Sequence, residues 1–544
     1  MASFKVSLKG LVRLSAGCGG RILVRCLIGF VRVAASLYFV MVSKHLIDVA
    51  TGVSEGSLKD GVLILASVMA VQVITGLAAS RYESLILVRT SNGLRLALFN
   101  HVMRGKWRGK EKYHSGDTVN RLENDINVVT DMICTRVPDI IITLCQLVAA
   151  SLYMLHLSDG LLWLLLGLMT IAVLGSRLFF GRIRELTSAI RTEESRIQSC
   201  MQDNLVYRVL ALTLYGPARV SERLDSMQDV VYEKNRSRLN LSLVARGFMS
   251  FGFSAGYLAT FVWGVTGIRH GTTTFGTMTA FLSLVAQIQG PIANLSRHIP
   301  AFIHSLTSVD RLEELYGLET EETAIPLYLD SAPEIRVDNV SYGYSEGEHS
   351  VLDHFSCVFP AGRITAVMGP TGAGKSTLIR LILALLEPTS GEIMLHDGNK
   401  VHRVSPHTRC NFIYVPQGNT MMSGTVRENF LMVNPDATVA QMETAVRAAA
   451  ADFILDMPAG LDTVCGEVGA GLSEGQSQRL AIARSLLHPG NVLILDESTS
   501  SLDAETENRL LENLSSLYEG KRTVIFVTHR ENVAAKASAI IRLE

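Results

Sequence analysis

Residues 369–377 read Gly-Pro-Thr-Gly-Ala-Gly-Lys-Ser-Thr. In this spacing the glycines bare backbone N–H groups at the start of a helix, and together with the helix end they cradle phosphate oxygens. Gly369, Gly372 and Gly374 let the main chain wrap the phosphates, and Lys375 reaches the β/γ oxygens as a point charge. Ser376, followed by Thr377, offers a hydroxyl to Mg²⁺. The loop alone fits many NTPases. Farther along, the apolar strand Val492-Leu493-Ile494-Leu495 ends in Asp496 and Glu497, and two adjacent carboxylates after such a run are costly unless they do chemistry. Asp496 suits a Mg²⁺ contact, directly or through water, and Glu497 suits a general base on an attacking water. The chemistry implied is hydrolysis of ATP with Mg²⁺.

Between these two motifs lies Leu472-Ser473-Glu474-Gly475-Gln476. With it, residues from about 335 to 544 resemble the nucleotide-binding domain of ABC transporters, and the resemblance implies roles for further residues. Ser473, Gly475 and Gln476 match the signature, which acts in trans on the phosphate held by a partner's loop. Glu474 departs from the commoner glycine there and could tune turnover. Gln417, in Val415-Pro416-Gln417, matches the glutamine that touches Mg²⁺ and the attacking water. Asp503, in Ser501-Leu502-Asp503, matches the D-loop, and His529 matches the switch histidine that meets the γ-phosphate. Tyr344 resembles the aromatic that stacks on adenine, with Tyr342 as its rival. Gly466-Glu467-Val468-Gly469 resembles a segment particular to exporters.

These elements need a scaffold, and composition indicates what kind. The chain has 544 residues, 48% of them hydrophobic, and its mean hydropathy is positive; such a chain exceeds one ordinary domain and places part of itself in a membrane. Lys and Arg number 50 against 51 Asp and Glu. That balance gives no electrostatic case for nucleic acid as a partner. The eight cysteines form no C-x-x-C or Cys/His cluster and read as buried, reduced thiols.

Six apolar stretches, approximately 22–47, 60–88, 137–157, 161–181, 246–269 and 275–310, are long enough to cross a bilayer core, which takes roughly 20 helical residues. Nine Lys/Arg lie between 89 and 136 and twelve between 177 and 246, which puts those two long loops and both termini on the cytoplasmic side. Lys5, Lys9 and Arg13 precede the first span without forming a signal peptide, because Arg25 and Arg32 interrupt any apolar h-region. Residues 3–15 read as an interfacial helix. The loops read as membrane helices continued inward. The stretches 94–103 and 115–125 resemble the first intracellular loop of ABC exporters, and a second coupling helix is expected around Asn204–Gly216.

The fold class expected is therefore a membrane α-helical bundle of six transmembrane helices with long intracellular extensions, followed by an α/β P-loop NTPase domain. The boundaries are 1–315 for the transmembrane domain, 316–334 for an exposed, acidic, Pro-containing linker, and 335–544 for the nucleotide-binding domain. This layout resembles an exporter half-transporter. It implies an ATPase that moves an amphipathic small molecule, lipid or peptide, with alternating access and membrane lipid around it. The partner implied is a second half-transporter, a homodimer being favoured because every ATP motif is filled, and the membrane is expected to be a bacterial cytoplasmic one with the nucleotide domain in the cytoplasm. No peptidase domain precedes the first span, so a leader-cleaving exporter is not expected. An ATP-gated channel or regulator on the same scaffold is the alternative. For specificity, Arg25 reads as snorkelling to the inner interface, Arg32 as either facing a cavity or pairing with another helix, and Arg297, His298 and His304 as helix-to-helix contacts.

Overall fold

The structure, a computed structural model, describes the chain outside residues 1, 16, 108–114, 158–162, 164–166, 169, 172–173, 176, 215, 322–324, 345–349, 419, 467–470, 500–501, 519 and 544. It divides into two compact units, one of Met1–Phe99 with Thr118–Tyr316 and one of Asn100–Asp117 with Gly317–Glu544.

The first unit is helical. Among the described residues four helices are long and apolar enough to cross a membrane: Gly19–Ala50, Leu58–Met103, Gly116–Leu157 and Gly216–Arg269. They carry the first, second, third and fifth expected spans, and the sixth lies in the 42-residue helix Phe275–Tyr316. Nine of the 21 residues of the expected span at 161–181 lie outside the described residues. Several helices run well past the ~20 residues a bilayer needs, as the inward extensions required. Between Phe180–Val206 and Gly216–Arg269 sits the short helix Arg208–Leu214, within the region expected for the second coupling helix; the corresponding turn of the first loop, at 108–114, lies outside the described residues. The amino-terminal helix Ala2–Ser15 buries Leu11 and Leu14 and is tied to the last long helix by Arg13–Glu313 at 2.7 Å.

Arg25 corrects the sequence reading. It does not snorkel: it is 7% exposed and donates through Nη2 to Glu83 at 2.8 Å and Asp139 at 3.1 Å. A guanidinium kept from water must be compensated, and two carboxylates from other helices do so. Those carboxylates stand 58 and 114 residues away in sequence. Arg32, one helical face along, is exposed and has no ion pair among the described residues. His304 is exposed, and the side chains of Arg297 and His298 lie outside the described set.

The second unit holds the α/β fold. A parallel sheet has the order β11 (Ala539–Arg542), β3 (Ile364–Met368), β10 (Thr523–Val527), β9 (Val492–Asp496), β6 (Phe412–Val415). Every residue of β9 and β10 is buried, which is why both read as unbroken apolar runs. The register sets Val527 beside Asp496 and beside Val367, and Val415 beside Leu495. The carboxyl ends of β3, β6, β9 and β10 thus share one edge, the usual ligand edge of such a sheet. An antiparallel sheet of β2 (Leu352–Phe359), β1 (Glu334–Tyr342), β4 (Ser390–Asp397) and β5 (Lys400–Arg403) accompanies it.

The described residues of the expected linker, 317–321 and 325–334, belong to this unit; most are exposed, and several are tied to it by hydrogen bonds. Lys106 N donates to Glu319 O at 2.7 Å and Glu321 N to Arg104 O at 2.8 Å. Arg409 grips Glu321 with two bonds of 2.8 and 2.9 Å, and buried Leu329 takes a bond from its N–H to Asn411 Oδ1. Arg409 thereby gives one of the linker's acids a bidentate partner.

Candidate nucleotide site

The loop after β3 enters the helix Lys375–Ile382 through Gly374, whose φ of 91° is left-handed; Gly372 has the same φ. Glycine adopts this conformation without a Cβ penalty, so the loop can turn its N–H groups inward over the helix start. Lys375 is 7% exposed, and its Nζ donates to the carbonyls of Gly369 and Pro370 at 2.9 and 3.0 Å. Its ammonium therefore sits over the mouth of the loop. Thr377 Oγ1 lies 3.1 Å from Tyr344 Oη, and Ser376 is exposed beside it. Tyr344 meets Tyr342 edge-on, with centroids 5.2 Å apart. Tyr344 is the member of the pair that bonds to the loop's helix.

Across the sheet edge, Asp496 closes β9. Burial and the neighbouring Glu497 push its carboxyl up, while Tyr414, Arg380 and Lys375 pull it down; Tyr414 Oη donates to Asp496 Oδ2 at 3.2 Å. A carboxylate held this way fits a cation, which would restore the balance that burial upsets. Glu497 follows with φ 47°, a left-handed conformation that costs a non-glycine residue about 1–3 kcal/mol. That cost is sustained by two contacts. Gln417 Nε2 donates to Oε2 at 3.0 Å, and His529 Nε2 lies 2.6 Å from Oε1. Gln417 and His529, far apart in the sequence, thus converge on one carboxylate, because β6, β9 and β10 are adjacent and end together.

Ser473, Gly475 and Gln476 stand apart from this group. Ser473 caps the helix Glu474–Leu486: its Oγ accepts from Gln476 N, and Gln476 Oε1 accepts from Ser473 N. Among the described residues no hydrogen bond joins the three to Lys375, Ser376, Thr377, Asp496 or Glu497. Asp503 also caps a helix, accepting from Thr506 N at 2.9 Å, and these backbone donors hold its carboxyl below the usual range. Ser501 and 467–470, with most of the exporter-type segment, lie outside the described residues.

Two site residues escaped the sequence reading. Tyr414 occupies the half-buried position of β6 that faces Asp496, and a tyrosine within an apolar strand is the one sign it gave. Arg380 lies one turn beyond Ser376 on the same helix and donates to Tyr344 Oη at 3.0 Å. Its i+4 spacing from the loop serine was the available signal.

The arrangement suits metal-assisted attack of water on a terminal phosphate, with charge supplied by the loop and a base by the sheet edge. Comparison with known proteins agrees with it. Residues 22–292 match the ABC transporter transmembrane region and residues 352–500 match the ABC transporter domain. YgaD of Bacillus subtilis (strain 168), named for multidrug export as an ATP-binding/permease protein, is 28% identical over 96% of this chain and 92% of its own. SAOUHSC_02003 of Staphylococcus aureus (strain NCTC 8325 / PS 47), named in the same way, is 30% identical over 83% of this chain and 78% of its own. The fold is that of a bacterial Atm1-family ABC exporter solved with ATP bound, at a TM-score of 0.79, 22% identity, and coverage of 97% of this chain and 94% of that one. A helical membrane region and a cassette whose catalytic edge is assembled from β3, β6, β9 and β10 stand together in this sequence, and the chain belongs to the ABC transporter family, as an integral membrane ATPase coupled to transport.

Proposed function

We propose that the chain is one half of a dimeric exporter that hydrolyses Mg²⁺-ATP and drives a drug-like or otherwise amphipathic substrate outward, in a bacterial cytoplasmic membrane. The observation that carries the site is Glu497, fixed between Gln417 and His529 at the end of β9. Glu497 takes the proton of the attacking water, Gln417 and His529 aim its carboxylate, and His529 and Lys375 face the γ-phosphate. Tyr344 receives the adenine, Gly369, Gly372 and Gly374 the phosphates, with Thr377 beside them. Asp496, Ser376 and Gln417 would hold Mg²⁺, whose chemistry there would be to neutralise phosphate charge.

Ser473 and Gln476 bond to each other, and among the described residues neither they nor Gly475 bond to their own phosphate loop, which supports their use on a second copy, with Asp503 between. A homodimer is the simplest assembly, since one chain carries every motif. The drug-like substrate class rests on the names of the relatives, both given for multidrug export. The test is ATPase activity of the purified chain in lipid, with transport of a cationic dye into inside-out vesicles. ATP-dependent uptake abolished by Glu497→Gln supports the reading. ATP-dependent ionic conductance without uptake overturns it in favour of a gated channel.

A further inference from the structure

We propose that Arg380 and Trp107 form a positioning pair through which the first inner loop sets the affinity of the nucleotide site. The proposal rests on the nucleotide site described above. Arg380 extends from the helix that begins at Lys375 and has two partners. Its Nη1 donates to Tyr344 Oη at 3.0 Å, and its guanidinium carbon lies 4.8 Å from the centroid of the Trp107 ring. Tyr344 Oη in turn lies 3.1 Å from Thr377 Oγ1. A chain of three contacts therefore runs from an indole on the first inner loop to the residue next to the loop serine, and all four residues belong to one compact unit.

The indole is itself fixed from the other side. Main-chain bonds join Lys106 to Glu319 and Glu321 to Arg104, Lys106 Nζ pairs with Glu387 at 3.2 Å, and Trp107 packs half-buried against the core around Leu378 and Leu381. Trp107 thus joins the segment around Arg104–Lys106 to the phosphate-loop helix within the same unit. A planar guanidinium is suited to this position, because it stacks on the indole while its fork still donates to a hydroxyl; an ammonium cannot do both. A shift of the inner loop that slides the indole off Arg380 frees the guanidinium and, with it, the Tyr344 hydroxyl. Coupling of this kind is reciprocal: if the stacked pair favours nucleotide, nucleotide must favour the stacked pair by the same factor.

That reciprocity gives the test a direct optical readout. The chain has three tryptophans, and Trp163→Phe with Trp263→Phe leaves Trp107 as the sole emitter. The full-length protein, in lipid nanodiscs and with Glu497→Gln to stop turnover, is titrated with Mg²⁺-ATP while binding is measured separately with labelled nucleotide. The expected result is a saturable change in Trp107 emission that tracks binding. Arg380→Met removes the change and weakens ATP binding about three- to tenfold. Trp107→Leu weakens binding equally, the double variant is no weaker than either single one, and Trp107→Phe restores most of the affinity. Arg380→Lys, which keeps the charge and loses the fork, behaves like Arg380→Met and serves where the latter fails to fold. Emission that ignores bound ATP, or single effects that add in the double variant, overturns the proposal. Lys375→Ala separates this failure from failure of the site: it must abolish binding and emission change together, and persistence of both would move the nucleotide elsewhere.

Discussion

The two units of this transporter solve burial in opposite ways. In the nucleotide unit every side chain of β9 and β10 is buried, Asp496 among them, and Glu497, the next residue, is partly exposed where β9 ends. In the membrane unit the apolar windows of the four candidate spans are only 11 to 22% buried within the chain. Leu63, Ile74, Leu77 and Val73 are each more than 60% exposed, whereas Arg25 is 7% exposed. Lipid is the solvent there, so apolar groups face out and charges are compensated within. The contrast this suggests is chemistry for Asp496 and Glu497 at the end of β9 and structural pairing for Arg25 among the membrane helices. The predictions below probe that contrast, and each has an outcome that would erase it.

The largest effect is expected at Glu497. Glu497→Gln keeps the shape of the side chain and its bond with Gln417 while removing the base, so hydrolysis should fall about 10²- to 10⁴-fold with ATP binding retained. Single-turnover hydrolysis beside equilibrium nucleotide binding measures it. Turnover near the wild-type rate would make this carboxylate as structural as those of the membrane unit.

Next comes Arg25. Removing one partner of a buried, paired charge costs about 3–5 kcal/mol, so Arg25→Ala should lower the melting temperature of the detergent-solubilised protein sharply. Glu83→Gln should cost less, since Asp139 still holds the guanidinium. A variant at Arg25 that melts normally yet loses substrate-stimulated ATPase would mean that the membrane unit also puts its buried charge to functional use.

Tyr414→Phe is a milder probe of the catalytic edge. The lost hydrogen bond is worth about 1 kcal/mol. Tyr414 donates to the ionised form of Asp496, so its removal makes that form less stable and raises a carboxyl already pushed up by burial. The acid limb of the ATPase pH profile should therefore move to higher pH, because more protonated, metal-incompetent Asp496 is present at a given acidity. An unmoved acid limb would show that Asp496 does not control it.

The smallest effect on folding is expected at Arg32. It is exposed and unpaired among the described residues, so Arg32→Gln should change stability by less than about 0.5 kcal/mol and leave basal ATPase intact. Its effect should appear in stimulation by transported substrates. A large drop in melting temperature would instead reveal a structural partner and group Arg32 with Arg25.

Legibility from the sequence followed the same division. The cassette's chemistry could be read because its motifs are local: the loop at 369–377, the carboxylate pair after an apolar run, and Ser473 ahead of its helix are each complete within ten residues. Tyr414 and Arg380 were barely legible, since their partners, Asp496 and Tyr344, are 82 and 36 residues distant, and neither a strand tyrosine nor an i+4 spacing from Ser376 names a partner. The ties of the linker were illegible for a related reason: its acids and prolines indicated exposure, and the groups that hold it, Arg409, Asn411 and the 104–106 segment, come from other parts of the fold.

By itself, then, the sequence determined what is set by local periodicity and spacing. Long apolar helices are dictated by bilayer thickness, buried parallel strands by continuous hydrophobic runs, and a phosphate cradle by glycines ahead of a lysine. Only the tertiary structure decided which of the separated polar groups meet. The strand order β3, β10, β9, β6 brings Gln417 and His529 to the two oxygens of Glu497, and the packing of three helices turns Arg25 from an expected snorkelling residue into a buried ion-pair centre. The physical reason is the same in both cases: a side-chain contact has a reach of a few ångströms, and which groups fall within that reach is fixed by how strands and helices pack.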